Sequence, residues 1–222
     1  DEKLIDSVIK IVFKNNYQIS SNDFKMSMKT IMKKQNIGTN KTSVIHKTDM
    51  PRYFGLLELN KSYLYLTELG INYAESVTLN QKIDILFDAI ESISFGKDNN
   101  AVRSDSNIDP PIIFLKMLIE LESCSITQFG CMMYYLEVLS IDYKIAIENI
   151  KSHKNINLEK EKIKSYGAGK FFDPKFHIFF ESLGIIEKIL NTRNFQLSNY
   201  VKNKYKNFID DLVVLNSKKI TQ

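Results

Sequence analysis

The 222-residue chain predicts a mainly helical fold with small β-hairpins, and three observations predict it. Apolar residues recur at helical spacing along most of its length. That pattern gives way to short strand-like runs around polar turns at two places, and a Gly–aliphatic–aliphatic–Glu stretch precedes the turn at both. Its 44% hydrophobic and 25% charged content is that of a globular chain able to bury a core, which excludes disordered and fibrous classes.

The first helix is predicted over Leu4 to Phe13 and stops at Asn15-Asn16. Ile19-Ser20-Ser21-Asn22-Asp23 reads as a cap leading into a second helix that carries Phe24, Met28, Ile31 and Met32. The polar stretch from Gln35 to Ser43 has no period and is a loop or the start of a third helix. Asp49 or Met50 is expected to cap a further helix, with Pro51 in its first turn, where a missing N–H costs nothing.

Gly55–Leu59 and Ser62–Leu66 read as the strands of a hairpin around Asn60-Lys61, with Asn60 suited to positive φ. Thr67 is the expected N-cap of the helix that follows. Leu79 to Phe95 is a further amphipathic helix. Helices are then predicted from Asp109-Pro110-Pro111, from Ser125 and from Ser140, the last ending near His153. Phe180–Glu187 and Asn194–Ser198 repeat the pattern of Tyr53–Glu58 and Tyr63–Thr67 at an offset of roughly 130 residues. Three helices, a hairpin and a helix is the order of a winged helix-turn-helix. The expected fold is therefore mainly α with small hairpin wings, in two winged units: residues 1–96, a polar linker over 97–108, and residues 109–222.

The net charge of +4 is mild, but its placement is uneven. Lys25, Lys29, Lys33, Lys34, Lys41, Lys47 and Arg52 are opposed in their stretch only by Asp23 and Asp49, whereas the basic run from Lys151 to Lys175 is diluted by Glu159, Glu161 and Asp173. In a winged helix one helix enters the major groove while the hairpin reaches phosphates, so the expected partner is double-stranded DNA. The candidate contacts in the first unit are Lys33, Lys34, Thr39, Asn40, Lys41, Thr42, Ser43, His46 and Lys47, with Arg52, Lys61 and Ser62 on the backbone. In the second unit they are Lys164, Ser165, Tyr166, Lys170, Lys175, Arg193 and Asn194.

The two hairpins and the Asp109–Phe114 helix resemble the recognition region of AlwI-like type IIS restriction and nicking endonucleases, and more distantly FokI. The resemblance covers about residues 45–210. It is carried by Tyr53-Phe54-Gly55-Leu56-Leu57, Leu64–Gly70 with its Thr67-Glu68-Leu69-Gly70 turn, Ser125–Gly130 and Phe180–Ile186. It implies sequence-specific reading of duplex DNA by one arm of a larger nuclease in a restriction–modification system. The family's Mg²⁺-dependent nuclease domain is not recognisable, so a nuclease domain or subunit is expected as a partner and no cofactor is expected for these residues. The alternatives are a non-enzymatic tandem winged-helix protein, such as a transcription regulator or plasmid replication initiator, and a protein-interaction scaffold.

The sequence offers little for catalysis. Asp142-Tyr143-Lys144 and Asp173-Pro174-Lys175 match the Asp-x-Lys end of a nuclease site. The first reads as a helix start behind a Ser140 cap, and the second carries a proline unsuited to a central strand. His46, His153 and His177 have no metal-ligand spacing with Cys124 or Cys131. Gly167-Ala168-Gly169-Lys170 lacks the rest of a phosphate loop. His177 reads as a satisfied helix histidine and most of the eleven tyrosines as core. The cysteines, seven apart, read as buried hydrophobes on one helix face, in keeping with a reducing, cytoplasmic setting. No run reaches the roughly 18 apolar residues of a membrane span, and Asp1-Glu2-Lys3-Leu4 does not open like a signal peptide, so no membrane partner is expected.

Overall fold

The computed structural model describes residues 2–35, 44, 46–92, 110–152, 176–212 and 214. The described residues form ten α-helices and two small antiparallel sheets of three strands each, in two compact units. One unit includes the described residues through Ser92, the other those from Pro110 onward. The expected linker at 97–108 lies outside the described residues.

The first unit opens with α1 (Glu2–Lys14), where Ile5, Val8, Ile9 and Val12 fall three and four apart and are all buried. β1 (Gln18–Ser20) follows, and Ser20 caps α2 (Ser21–Lys34) by accepting the Asp23 N–H at 3.1 Å. A single 3₁₀ turn (His46–Thr48) leads into the short α3 (Asp49–Tyr53). The hairpin is β2 (Leu57–Asn60) and β3 (Tyr63–Leu66), and β3 lies between β1 and β2. Alternation sets its faces: Ile19, Leu57, Leu64 and Leu66 point into the core, while Gln18, Glu58, Asn60 and Tyr63 are exposed. α4 (Glu68–Glu75) and α5 (Leu79–Ser92) complete the unit around a core that includes Phe24, Met28, Phe54, Leu56, Tyr73 and Leu86.

The second unit runs α6 (Pro110–Glu120), β4 (Cys124–Ser125), α7 (Ile126–Glu137), α8 (Tyr143–Lys151), α9 (Phe176–Ser182), β5 (Ile186–Lys188), β6 (Asn194–Leu197) and α10 (Asn199–Asp211). β6 lies between β4 and β5, so the strand order of the first sheet is reproduced. Phe114 meets Phe129 edge to face at 5.2 Å in a core shared with Ile113, Met117, Phe180, Leu183 and Val201.

The internal repeat extends to the backbone. Gly55 and Gly184 both take left-handed φ, +67° and +68°, where only glycine is unstrained. The next residue's N–H reaches back to the Pro51 carbonyl at 2.8 Å in one unit and to the Phe180 carbonyl at 2.9 Å in the other. Thr67 N–H then donates to the Leu56 carbonyl as Ser198 N–H does to that of Ile185. The spacing is not uniform. The Gly–aliphatic–aliphatic core recurs after 129 residues, but the hydroxyl cap after 131, because the second hairpin, from Ile186 to its partner Leu197, is two residues longer than the first, from Leu57 to Leu66. Ser20 and Ser125, the caps of equivalent helices, are 105 apart, so the second unit carries an insertion between its second helix and its hairpin.

Several local expectations are corrected. β1 and β4 are strands where the sequence shows only helix caps; at three and two residues they are too short to show alternation. Positive φ falls on Lys61 (53°), not Asn60, because β2 extends through Asn60, which pairs with Tyr63. Thr48 occupies the cap position of α3, rather than Asp49 or Met50, and makes no side-chain cap bond. Asp142, not Ser140, caps α8 by accepting the Lys144 N–H at 2.8 Å. Cys124 and Cys131 are both buried, but on β4 and α7 rather than on one helix face. Of the described tyrosines only Tyr53, Tyr73, Tyr135 and Tyr143 are buried, since β3 turns Tyr63 outward and the C-terminal helix leaves Tyr200 half exposed.

Candidate nucleic-acid interface

The surface of the first unit is organised by the hairpin turn. Lys61 and Ser62 are both exposed at its tip, and the Ser62 carbonyl accepts the Ser21 N–H at 2.7 Å, which fastens the turn to the N-terminus of α2. Lys33 and Lys34 are also exposed, but sit in the last turn of α2. A helix of 14 residues is about 20 Å long, so these lysines and Lys61 do not converge on one phosphate. At a helix C-terminus their charge complements the macrodipole, which is a structural reason for their place. Arg52 is committed elsewhere: only 12% of its side chain is exposed and its Nη1 lies 3.7 Å from Asp49 Oδ1. Lys47 is half-buried on the 3₁₀ turn. His46 belongs to the same turn. Thr39, Asn40, Lys41, Thr42 and Ser43 lie outside the described residues.

In the second unit the hairpin loop exposes Arg193, while Asn194 is half-buried as the first residue of β6, opposite Ser125. Thr192 shapes the loop: its hydroxyl donates to the Ile189 carbonyl at 2.9 Å and accepts the Asn194 N–H at 3.1 Å. Lys164, Ser165, Tyr166, Lys170 and Lys175 lie outside the described residues, as do the 167–170 and 173–175 motifs. On α8, Lys151 is matched by carboxylates. Lys151 Nζ lies 2.9 Å from Glu148 and 3.8 Å from Glu120, and the Glu148 hydrogen bond holds its ammonium above the usual lysine value.

The surface of α10 is not among the sequence-predicted contacts. Lys202, Lys204 and Lys206 are exposed on it together with Asn199, Asn203 and Asn207. A helical projection of residues 199–211 carries that signal, since only Val201 and Ile209 are buried.

Asp142 spends its carboxylate on capping α8, and among the described residues no three His, Cys, Asp or Glu side chains converge to hold a metal. The donor set of a Mg²⁺ nuclease site is therefore not assembled by the described residues. Burial pushes the Cys124 thiol well above its ordinary value, which keeps it protonated and unreactive. His177, partly exposed on α9, packs edge-on against Phe195 at 5.6 Å. No helix among the described residues is long and apolar enough to cross a membrane.

Comparison with family models, with curated proteins and with solved structures finds no match to the chain.

Proposed function

We propose that each unit is a winged helix-turn-helix and that the protein binds double-stranded DNA in a sequence-specific way. The observation that carries this reading is the twice-built topology: helix, strand, capped helix, further helix, then a hairpin whose second strand lies between the first strand and its own partner. Lys61 and Ser62 at one hairpin tip and Arg193 at the other are the phosphate contacts this reading uses. The residues between α2 and the 3₁₀ turn, with Asn40 and Lys41, are assigned to base and phosphate contacts of the first unit. The resemblance to AlwI-like endonucleases extends the proposal: the protein is the specificity module of a type IIS-like restriction or nicking enzyme, with metal-dependent cleavage supplied from outside these residues.

The test is selection from a randomised duplex library at two salt concentrations. One short asymmetric motif, bound with steep salt dependence, is the expected result. A palindromic motif would instead indicate a dimeric regulator. Duplex affinity that is absent, or insensitive to salt, would overturn DNA binding and leave a protein-interaction module.

A further inference from the structure

The C-terminal helix α10 has an outer face whose composition the fold does not require. At 3.6 residues per turn, Asn199, Asn203 and Asn207 succeed one another along one line of the helix. Lys202 and Lys206 flank that line on one side, and Lys204 flanks it on the other. All six side chains are exposed, and neither Lys202 nor Lys206 has an acidic partner among the described residues. Lys204 is held in place by aromatic neighbours. Its Nζ donates to the Tyr200 hydroxyl at 3.1 Å and lies 5.5 and 5.3 Å from the centres of the Tyr200 and Tyr205 rings.

The internal repeat supplies a control. α4 occupies the same place in the first unit, directly after its hairpin and behind an equivalent hydroxyl cap, yet it contains no lysine or arginine and carries Glu68 and Glu75. The architecture thus accepts an acidic helix at this position, so packing does not explain the basic one. Both ends of α10 are also already served. Ser198 accepts the Val201 N–H, and Lys116 Nζ donates to the carbonyls of Asp210 and Leu212, both at 2.7 Å.

We propose that the outer face of α10 docks lengthwise in the major groove of duplex DNA. Its asparagines read base edges, and its lysines hold the phosphates on the two rims. The inference rests on the DNA-binding reading above and assigns to the second unit a contact surface other than its hairpin. An asparagine side chain pairs bidentately with adenine, whose N7 accepts and whose N6 donates, so the face favours adenine-containing steps. From Asn199 to Asn207 the helix rises about 12 Å, the length of three to four base pairs. Asp210 and Asp211 close the helix with negative charge, so the N-terminal two thirds of α10 enters the groove and the last turn stays clear of phosphate.

The experiment uses the full chain and three proteins: wild type, Lys202→Gln with Lys206→Gln, and Asn203→Ala with Asn207→Ala. Each is checked for native circular dichroism, then titrated against a labelled duplex carrying the selected motif and against single-base variants at several salt concentrations. The lysine pair is expected to weaken binding to all sequences alike and to flatten the slope of log affinity against log salt by about 1.8, at roughly 0.9 per phosphate contact. The asparagine pair is expected to keep the slope and to lose discrimination at one or two adenine positions by about fivefold or more. If wild type binds duplex DNA and both variants match it, α10 is not a contact surface and this inference falls alone. If the lysine pair acts but the asparagine pair changes no base preference, groove docking is overturned. If wild type binds no duplex, the DNA reading fails and this inference falls with it. Stronger binding of wild type to single-stranded RNA or to anionic vesicles, lost in the lysine pair, would assign the face to another polyanion and overturn the proposal.

Discussion

Replacing Gly70 with alanine probes a close backbone approach in the first unit. Gly70 lies in the first turn of α4, where its N–H donates to Thr67 Oγ1 at 3.0 Å. A Cβ at this position would run into the Leu56 carbonyl oxygen and come within 2.8 Å of Leu66 Cδ2. The oxygen has little room to retreat, because it accepts the Thr67 N–H at 3.2 Å and Leu56 is wholly buried. Intrinsic preference works the other way, since alanine is favoured over glycine in a helix by about 1 kcal/mol. Overpacking against backbone costs about 1–3 kcal/mol, and displacing the carbonyl from its donor costs a similar amount. The net expectation is a loss of about 2–4 kcal/mol, with the clash outweighing propensity. Gly55→Ala is the control. It has the left-handed φ of +67° but nothing within 4 Å of an added Cβ, so it loses only about 1 kcal/mol of backbone preference. The chain contains no tryptophan, so urea unfolding is followed by far-ultraviolet circular dichroism, with hydrogen exchange to assign the loss to the first unit. If Gly70→Ala proves as stable as Gly55→Ala, or more stable than wild type, the close approach of α4 to the strand-leading backbone is refuted.

Three further outcomes are expected. Asp6→Asn weakens the first unit by about 1–3 kcal/mol, because Asp6 Oδ1 takes Lys82 Nζ at 2.8 Å with both side chains mostly covered. A double-mutant cycle with Lys82→Met that returns no coupling would count against it. Lys116→Met removes the donor to the last carbonyls of α10 and costs about 1 kcal/mol. Faster hydrogen exchange confined to the last turn of α10 is the sign to look for, and unchanged exchange there rules the role out. The third outcome concerns pH. Burial raises the Cys124 thiol above its ordinary 9.0, and burial followed by the charge of Glu120 raises the Tyr143 phenol above its ordinary 10.0. The folded state therefore holds these protons more tightly than the unfolded chain does. Their contribution is complete below the unfolded values and is lost as pH rises above about 9. Urea midpoints for the second unit should fall in that range, and midpoints that stay level to about pH 10.5 would contradict the assignment.

Much of the fold was legible because its signals are local. Ile5, Val8, Ile9 and Val12 announce α1 by spacing alone, and Ser20, Thr67 and Ser125 mark helix starts because a short hydroxyl side chain satisfies an N–H in the first turn. The repeat was visible because a left-handed turn before a buried strand calls for glycine, at Gly55 and again at Gly184. The third strand of each sheet was not legible: Gln18–Ser20 and Cys124–Ser125 become strands only by pairing with residues 43 to 71 positions away.

The candidate surface divides in the same way. Sequence alone placed Lys61, Ser62 and Arg193 at hairpin tips, and the chain determined two helical units with a hairpin in each. Only the tertiary structure decided which basic residues are available. Packing brings Arg52 against Asp49, the length of α2 separates Lys33 and Lys34 from Lys61, and burial of Val201 and Ile209 turns the asparagines and lysines of α10 outward. Periodicity and capping depend on residues a few positions apart, so a sequence displays them. Exposure and ion pairing depend on which distant surfaces meet, and in this protein the chain acquires those only on folding.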